Sequence, residues 1–384
     1  MNLRAAILFT TLAATASLPL PTQALVNLGE GEIFATASLS GTYDTAIRAR
    51  SADQEDFVTN LRTGLTYSRP SRTFDFSISA GVSIQRYMDY EEFNDESFFF
   101  DLTFAPRTEV QTSRFSFSGG LILDSETRSN EEVGDVITTR TYGANAGLLY
   151  DPSSRYNVRL DVAASREDPD SAGSGGIRYR ERDRLSAGLT LEVPYRDNSF
   201  AELGTSYEKT DSEGDQSVSD SDTYTLFAGL NGQLLEKLSG SFRAGLQSRE
   251  TERLGSDTTP YLSSSLAWAI DESTSLNLAL SRSFGTTLDD RSSETTSASL
   301  TARRQLNRRL SGYVGIDYSE DDFTALGPAG TRSDEEYGFF AGLGYELTRN
   351  TSLAATVRYT DQDSDDPNFD FDRWQTGVTV SGRW

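Results

Sequence analysis

Apolar and polar side chains alternate along most of the chain after residue 25. In the last segment, one face carries Val378, Val380, Gly382 and Trp384, and the residues between them are Thr379, Ser381 and Arg383. Successive side chains of a β-strand point to opposite faces, so this period of two predicts a strand with one apolar and one polar face. The same period recurs in segments 74–84, 156–165, 185–193, 337–347 and 353–360.

Many such segments in one chain favour a transmembrane β-barrel, in which each strand meets lipid on one face and a polar interior on the other. A soluble β-solenoid would show similar residues stacked at a fixed repeat, and none is visible. A sandwich of this size would contain more proline and glycine punctuation and a heavier core. The alternation therefore predicts an all-β fold, an antiparallel up-and-down barrel in the membrane.

The connections between the predicted strands alternate in length. Eight are short, such as 69–72, 195–198 and 236–237, and nine are long and polar. Outer-membrane barrels have short periplasmic turns and longer external loops, so this count predicts eighteen strands with both termini periplasmic, or sixteen if one hairpin is misassigned. The long connections are residues 44–56, 88–96, 126–137, 166–181, 209–221, 248–258, 285–295, 319–335 and 361–371.

The N-terminus has the features of a secretory signal peptide. Arg4 precedes an apolar segment from Ala5 to Leu18, and Thr22-Gln23-Ala24 fits the small-x-small cleavage rule. The segment is too short to favour the alternative of an anchor helix. We expect residues 1–24 to be removed, residues 25–32 to form a short periplasmic segment, and residues 33–384 to form the barrel.

Composition excludes several classes of function. The chain has no histidine and no cysteine, so histidine- and cysteine-based catalysis and thiol or imidazole metal sites cannot be built. The net charge of −23 disfavours nucleic-acid binding, which needs clustered lysine and arginine. No enzyme activity, cofactor or metal is predicted.

The segment from Thr63 to Arg72 and the ending from Asp372 to Trp384 resemble those of bacterial outer-membrane barrels of the putative β-barrel porin 2 family. The resemblance covers the mature chain and implies the outer membrane of a Gram-negative bacterium. The residues Val378, Val380 and Trp384 are also similar to the C-terminal signal recognised by the barrel-assembly machinery. That signal usually ends in phenylalanine, and Trp384 departs from it. Some family members are associated with surface polysaccharide, and the resemblance assigns no functional residues.

Charged residues of both signs occupy positions predicted to face inward, among many serine, threonine and glycine residues. Small polar walls leave room for water, and barrels of sixteen to eighteen strands are wide enough to enclose a channel. Alternatively, the charges pair across strands inside a plugged lumen. The candidate lumen-lining residues are Arg62, Asp75, Asp101, Arg159, Asp161, Arg184, Glu192, Arg243, Arg303, Asp317, Glu346 and Arg358.

Two functional hypotheses follow. The first is a porin-like passive channel for small polar solutes or ions, with acidic loops that favour cations at the mouth and arginines that favour anions deeper in the pore. The second is a structural or accessory barrel with a plugged lumen that serves export or attachment of surface polysaccharide. The expected partners are outer-membrane lipid, the assembly machinery, and polar solutes or polysaccharide, without nucleic acid.

We predict that deletion of Trp384 lowers assembly, because the last strand then lacks its aromatic end. The measurement is the amount of heat-modifiable barrel in the outer-membrane fraction. Unchanged assembly would count against the assignment of this residue to an assembly signal.

Overall fold

The computed structural model describes residues 25–51, 54–71, 73–106, 114–153, 155–171, 179–213, 220–324 and 330–384. The predicted signal segment 1–24 lies outside these residues. Within them, regular structure is almost entirely β, with one 3-10 turn at Glu91–Phe93. No helix of the described part is long and apolar enough to cross a membrane.

Nineteen strands follow one another in the described residues. In chain order they are β1 (Val26–Leu28), β2 (Gly31–Asp44), β3 (Asp56–Pro70), β4 (Phe74–Tyr87), β5 (Asp95–Pro106), β6 (Phe115–Asn130), β7 (Asp135–Ser153), β8 (Tyr156–Ser171), β9 (Arg182–Arg196), β10 (Ser199–Ser212), β11 (Ser221–Leu235), β12 (Leu238–Thr251), β13 (Gly255–Ala269), β14 (Thr274–Thr286), β15 (Ser292–Gln305), β16 (Leu310–Thr324), β17 (Thr331–Glu346), β18 (Thr351–Ser364) and β19 (Phe371–Arg383).

The strands β2 to β19 form a closed antiparallel barrel of eighteen strands. Each pairs with the next along the chain, and the last, β19, pairs with the first, β2. Closure leaves no unpaired sheet edge, which a lipid environment requires because it offers no partner for backbone amides. The prediction of an eighteen-stranded up-and-down barrel is therefore confirmed.

The seam between β19 and β2 extends from Gln375 opposite Asp44 to Arg383 opposite Thr36. Beyond this ladder, the terminal residue Trp384 exchanges two backbone hydrogen bonds with Ala35, with N···O distances of 2.7 and 2.9 Å. The last residue of the chain is thus part of the seam.

Several strands continue past the boundaries that alternation predicts. For example, β6 and β7 pair as far as Asn130 opposite Asp135, although residues 126–137 are expected to form a loop. Likewise Arg140 of β7 lies opposite Asp168 of β8. Outside the lipid, both strand faces contact water, so a strand needs no apolar face and pairs through its backbone alone. About 9–11 residues suffice to cross the membrane, whereas β7 has nineteen.

The outer face of the barrel is apolar in the middle and aromatic near both ends. Leu189, Leu203, Leu226 and Leu246 are examples of the exposed leucines. Aromatic residues pair across neighbouring strands, where rings with polar tips favour the membrane interface. The pairs Phe74–Phe104 and Phe115–Tyr150 lie near the short turns. The pairs Tyr207–Tyr224, Tyr318–Tyr337 and Tyr359–Trp374 lie near the long loops.

The short strand β1 forms a hairpin with the start of β2, from Val26 opposite Ile33 to Leu28 opposite Gly31. Gly29 takes a positive φ of 64° in this turn, a conformation that favours glycine. Arg69 at the end of β3 pairs with Glu30 at 2.6 Å and holds the hairpin at the short-turn end.

The seam register can be tested by cysteine cross-linking, because the natural chain has no cysteine. Ser40 and Thr379 lie directly opposite each other, so the double variant Ser40→Cys/Thr379→Cys should be joined by a short thiol cross-linker. The joined chain should migrate differently on a denaturing gel. In the control, Thr42→Cys/Thr379→Cys, the cysteines are two positions out of register and should react much less. Equal reaction of both pairs would contradict the seam.

Candidate functional site in the barrel interior

The inner face of the barrel, opposite the exposed apolar residues, is built largely from small polar side chains. Examples are Ser77, Ser79 and Ser83 on β4, and Ser297, Ser299 and Thr301 on β15. Such side chains extend only a short distance from the wall, and a ring of eighteen strands is wide enough to enclose an aqueous channel.

The charged residues predicted to face inward are largely paired along the wall. The paired strands are one or two apart in the ring, so each ion pair lies on one side of the barrel. The pairs, with their N···O distances, are Arg159–Glu192 at 2.9 Å, Arg243–Glu202 at 2.7 Å and Arg358–Asp317 at 2.8 Å. These charges therefore neutralise each other locally instead of standing on opposite walls.

Arg62 on β3 rests on an aromatic ring. Its guanidinium lies 3.7 Å from the centre of the Phe99 ring and 3.8 Å from Asp124 of β6. The ring is accommodated by Gly64 and Gly81, which face each other across β3 and β4. A Cβ atom at Gly81 would come within 2.5 Å of Phe99. The two glycines thus allow the ring to lie flat against the wall beneath the arginine.

The other predicted residues are more dispersed. Arg184 on β9 lies between Glu167 and Glu208, at 3.6 and 3.7 Å. Arg303 lies over the ring of Tyr313, 5.9 Å from its centre. Asp161 is opposite Gly147 of β7. The remaining three, Asp75 on β4, Asp101 on β5 and Glu346 on β17, lie opposite Ala105, Ser79 and Ser352.

The long-loop end contains the main apolar core of the described structure. Segments 45–51, 88–94, 131–134, 179–181 and 287–291 meet there and bury apolar side chains. One group comprises Ile47, Tyr87, Phe93 and Val136, and a second comprises Val133, Ile137, Tyr179 and Leu288. Burial raises the pKa of Tyr179 to about 12, since the ionised phenolate would be poorly solvated there. We refer to these eight residues as the mouth cluster.

Two arginines hold segment 131–134 from other parts of the barrel. Arg50 donates to the carbonyl oxygen of Val133 at 2.8 Å, and Arg332 of β17 donates to that of Glu132 at 2.7 Å. Arg332 also stacks on Phe369, 3.8 Å from the ring centre. β17 is seven strands from β6 around the ring of eighteen, so the contact reaches across much of the diameter. Segment 131–134 therefore narrows the mouth.

Sequence reasoning missed this group of charged residues at the mouth. Asp44 and Arg373 form a buried bidentate pair across the seam, and Arg332 pairs with Asp334 at 3.0 Å. Asp44, Arg332 and Asp334 fall in segments predicted as long acidic loops, 44–56 and 319–335, and Arg373 lies two residues beyond the predicted loop 361–371. The sequence did contain a signal, because alternate residues of a strand share a face. Arg373 is therefore on the same face of β19 as Gly377, Thr379 and Ser381. Extending the alternation beyond the apolar residues would have placed it inside.

The sequence matches the model of the family described as putative beta-barrel porin 2 over residues 26–383. No curated protein matches it.

Solved structures with a similar fold are outer-membrane barrels. OpdK of Pseudomonas aeruginosa, in a structure with vanillate, is 13% identical; the match covers 92% of this chain and 99% of that one, with a TM-score of 0.50. OccAB3 of Acinetobacter baumannii is 12% identical, and the match covers 93% of this chain and 100% of that one, with a TM-score of 0.47.

We predict that the double variant Arg332→Gln/Asp334→Asn widens the mouth. It removes the charged donor to Glu132 without leaving Asp334 buried as an unpaired charge. Proteoliposomes carrying this variant should admit larger neutral sugars than the wild type does, in a swelling assay. The matched control is Arg303→Gln, which removes an inner-face arginine that contacts Tyr313 instead. An unchanged size limit in a correctly folded double variant would contradict a restricting role for segment 131–134.

Proposed function

Because the chain belongs to the putative β-barrel porin 2 family and is a porin-like barrel of the Gram-negative outer membrane, we propose that it conducts small polar solutes and ions passively down their concentration gradients. The observation that carries this proposal is the combination of an eighteen-stranded closed barrel with a small polar inner face. This is the size at which barrels hold water as well as side chains.

The pattern of ion pairs supports an open path. A plug made by the wall itself would need side chains that reach from one side to the other. Instead, Arg159, Arg243 and Arg358 bind carboxylates on strands one or two positions away. Long side chains held against the wall leave the centre to water, and the predicted inner-face residues become candidates for contact with the passing solute.

The restriction lies at the long-loop end. The mouth cluster and segment 131–134 fill space at this end of the barrel. Along the rest of the inner face, the small polar side chains leave the corresponding space open. We propose that this constriction sets the size limit, in line with the general finding that loops carry function on a rigid scaffold. Arg50, Arg332 and Arg373 are basic residues that contact segment 131–134 directly.

The orientation proposed from loop length places the short turns and both termini in the periplasm and the long loops outside. It agrees with the predicted signal peptide, residues 1–24, which would deliver the chain to the periplasm. The last strand, with Val378 and Val380 exposed and Trp384 at the seam, would be the segment that the barrel-assembly machinery recognises.

The acidic rim favours cations at the entrance. Asp361, Asp363, Glu335 and Asp322 lie at the ends of β16 to β18 beside the long loops. Like charges grouped at a mouth raise the local concentration of counter-ions. Because interior arginines are largely neutralised by carboxylates, they oppose this effect only weakly. We therefore propose a mild cation preference that declines as salt screens the rim.

The decisive measurement is the conductance of the purified barrel in a planar bilayer. We predict discrete current steps and, under a salt gradient, a reversal potential whose sign indicates cations. The selectivity should fall between low and high salt, because exposed charges are screened over about 8–10 Å at physiological ionic strength.

Rim carboxylates can be neutralised as a further check, with Asp361→Asn/Asp363→Asn as the variant and Asp271→Asn as the control. Asp271 lies in a short turn at the other end, where hydrogen bonds from Ser273 lower its pKa, so it is charged in the wild type. The rim variant should lose more cation preference than the control. A folded barrel without current steps would overturn the channel and favour an accessory role.

A further inference from the structure

The loop end of β14 departs from the ladder of the barrel. Its pairing with β13 stops where Arg282 lies opposite Leu262, although the strand continues to Thr286. Side chains of β12 supply the missing hydrogen bonds. Gln247 accepts the backbone N–H of Phe284 at 2.8 Å, and Arg249 donates to the carbonyl oxygen of Gly285 and the hydroxyl of Thr286. The end of β14 is therefore attached to β12 across the inner side of β13.

Arg249 is almost completely buried, with 3% of its surface exposed. Besides Gly285 and Thr286, it donates to the hydroxyl of Ser221 at 3.0 Å. No carboxylate of the described residues lies within ion-pair distance of it, and its Nε has no hydrogen-bond partner there. A buried guanidinium with only neutral partners is costly, since the loss of hydration is not offset by an opposite charge.

A second buried arginine lies beside it. Arg184 is 8% exposed, and its contacts with the carboxylates of Glu167 and Glu208 are long, at 3.6 and 3.7 Å. Its Nε, too, lacks a hydrogen-bond partner among the described residues. Each arginine thus has an unused donor in a place that bulk water does not reach freely.

Both arginines line one small polar cavity. The space is about the size of one water molecule, so any ligand larger than a single monatomic ion is excluded. Its lining is almost entirely polar and includes four buried hydroxyl-bearing residues besides the carboxylate of Glu208. The cavity is lined by Arg184, Glu208, Thr210, Ser221, Thr223, Arg249, Phe284, Gly285 and Thr286.

The charges around the cavity do not balance. The group contains three arginines and two glutamates, because Arg182 also pairs with Glu167, at 2.6 Å. The carboxylate of Glu208 would repel an anion. Two guanidinium groups face the same space, however, so the positive charge at the cavity exceeds the negative charge by one. Among the described residues of this group, one positive charge is left over in a buried place, and a monovalent anion would neutralise it.

We propose that this cavity binds a small monovalent inorganic anion of the size of chloride. Guanidinium and hydroxyl groups are the donors that such an anion needs, and the space excludes carboxylates and other polyatomic anions. A water molecule could accept the same hydrogen bonds but would leave the excess charge uncompensated. The anion would hold Arg184 and Arg249 together despite their mutual repulsion.

The site is linked to the mouth. Arg249 donates to the hydroxyl of Thr286, and Arg182 donates to the carbonyl oxygen of the same residue. Segment 287–291 directly follows Thr286. Leu288 of that segment packs in the mouth cluster with Val133. By keeping Arg249 in place, the anion would stabilise the hydrogen bonds that hold the end of β14. Segment 287–291, which contributes Leu288 to the mouth cluster, follows that end.

The direct test is anomalous X-ray scattering from crystals of the mature barrel grown in sodium bromide. We expect an anomalous peak between Arg184 and Arg249 that is absent in sodium isethionate. In parallel, the temperature at which half of the barrel loses its folded gel mobility should be a few degrees higher in chloride or bromide than in isethionate or acetate at equal ionic strength. The increase should saturate with halide concentration. An ordered water in place of the peak, or a stability that is the same in all four salts, would overturn the proposal.

Two variants locate the effect. Arg249→Gln should abolish both the peak and the halide dependence, whereas Arg303→Gln, at an inner-face arginine outside the cavity, should keep both. Because Arg249→Gln could impair folding, Thr223→Val serves as a milder change that removes one hydroxyl and keeps the side-chain shape. It should weaken halide stabilisation several-fold. Halide dependence that survives in both cavity variants would also overturn the proposal. Neither result depends on whether the barrel conducts.

Discussion

The structure depends on one constraint, that every backbone hydrogen-bonding group within the lipid must find its partner in the protein. A sheet satisfies it only by closing on itself, and closure here is completed between β19 and β2, where Trp384 and Ala35 exchange the last two hydrogen bonds. Each strand must therefore carry lipid-compatible side chains on one face. The alternation, the exposed leucines and the aromatic pairs near the ends are consequences of that single requirement.

The inner face follows a different rule, because it is polar and enclosed. Charges there cannot rely on full hydration, so they are stabilised by near neighbours: Arg243 by Glu202, Arg358 by Asp317, and Arg62 by the ring of Phe99 with Asp124 beyond it. Such local pairing fixes long side chains along the wall and keeps them from crossing the lumen. Arg249 differs from them because it is buried and its described partners are neutral, and that imbalance is the basis for the proposed anion site.

At the mouth, apolar burial replaces lipid contact as the source of stability. Val133, Leu288, Ile47 and Phe93 come from four different segments and are buried against one another or against strand residues. Arg50 and Arg332 fix segment 131–134 by donating to its carbonyl oxygens. The proposed size limit and the proposed anion site meet here, because segment 287–291 directly follows Thr286. Both proposed properties of the barrel would thus depend on a small core placed at one end of a long scaffold.

The sequence by itself determined the strand number, the closed antiparallel topology and the face of residues such as Arg159, Asp317 and Val380, because a period of two reports which side of a strand meets lipid. It also determined the family, through a pattern that spans the chain. Only the tertiary structure decided which charges meet, that strands continue beyond the lipid, and that Asp44, Arg332 and Arg373 belong to the mouth. Those contacts join residues up to 329 positions apart. Outside the membrane neither face of a strand must be apolar, so periodicity can place a residue such as Arg373 on the inner face but does not record which residue it meets.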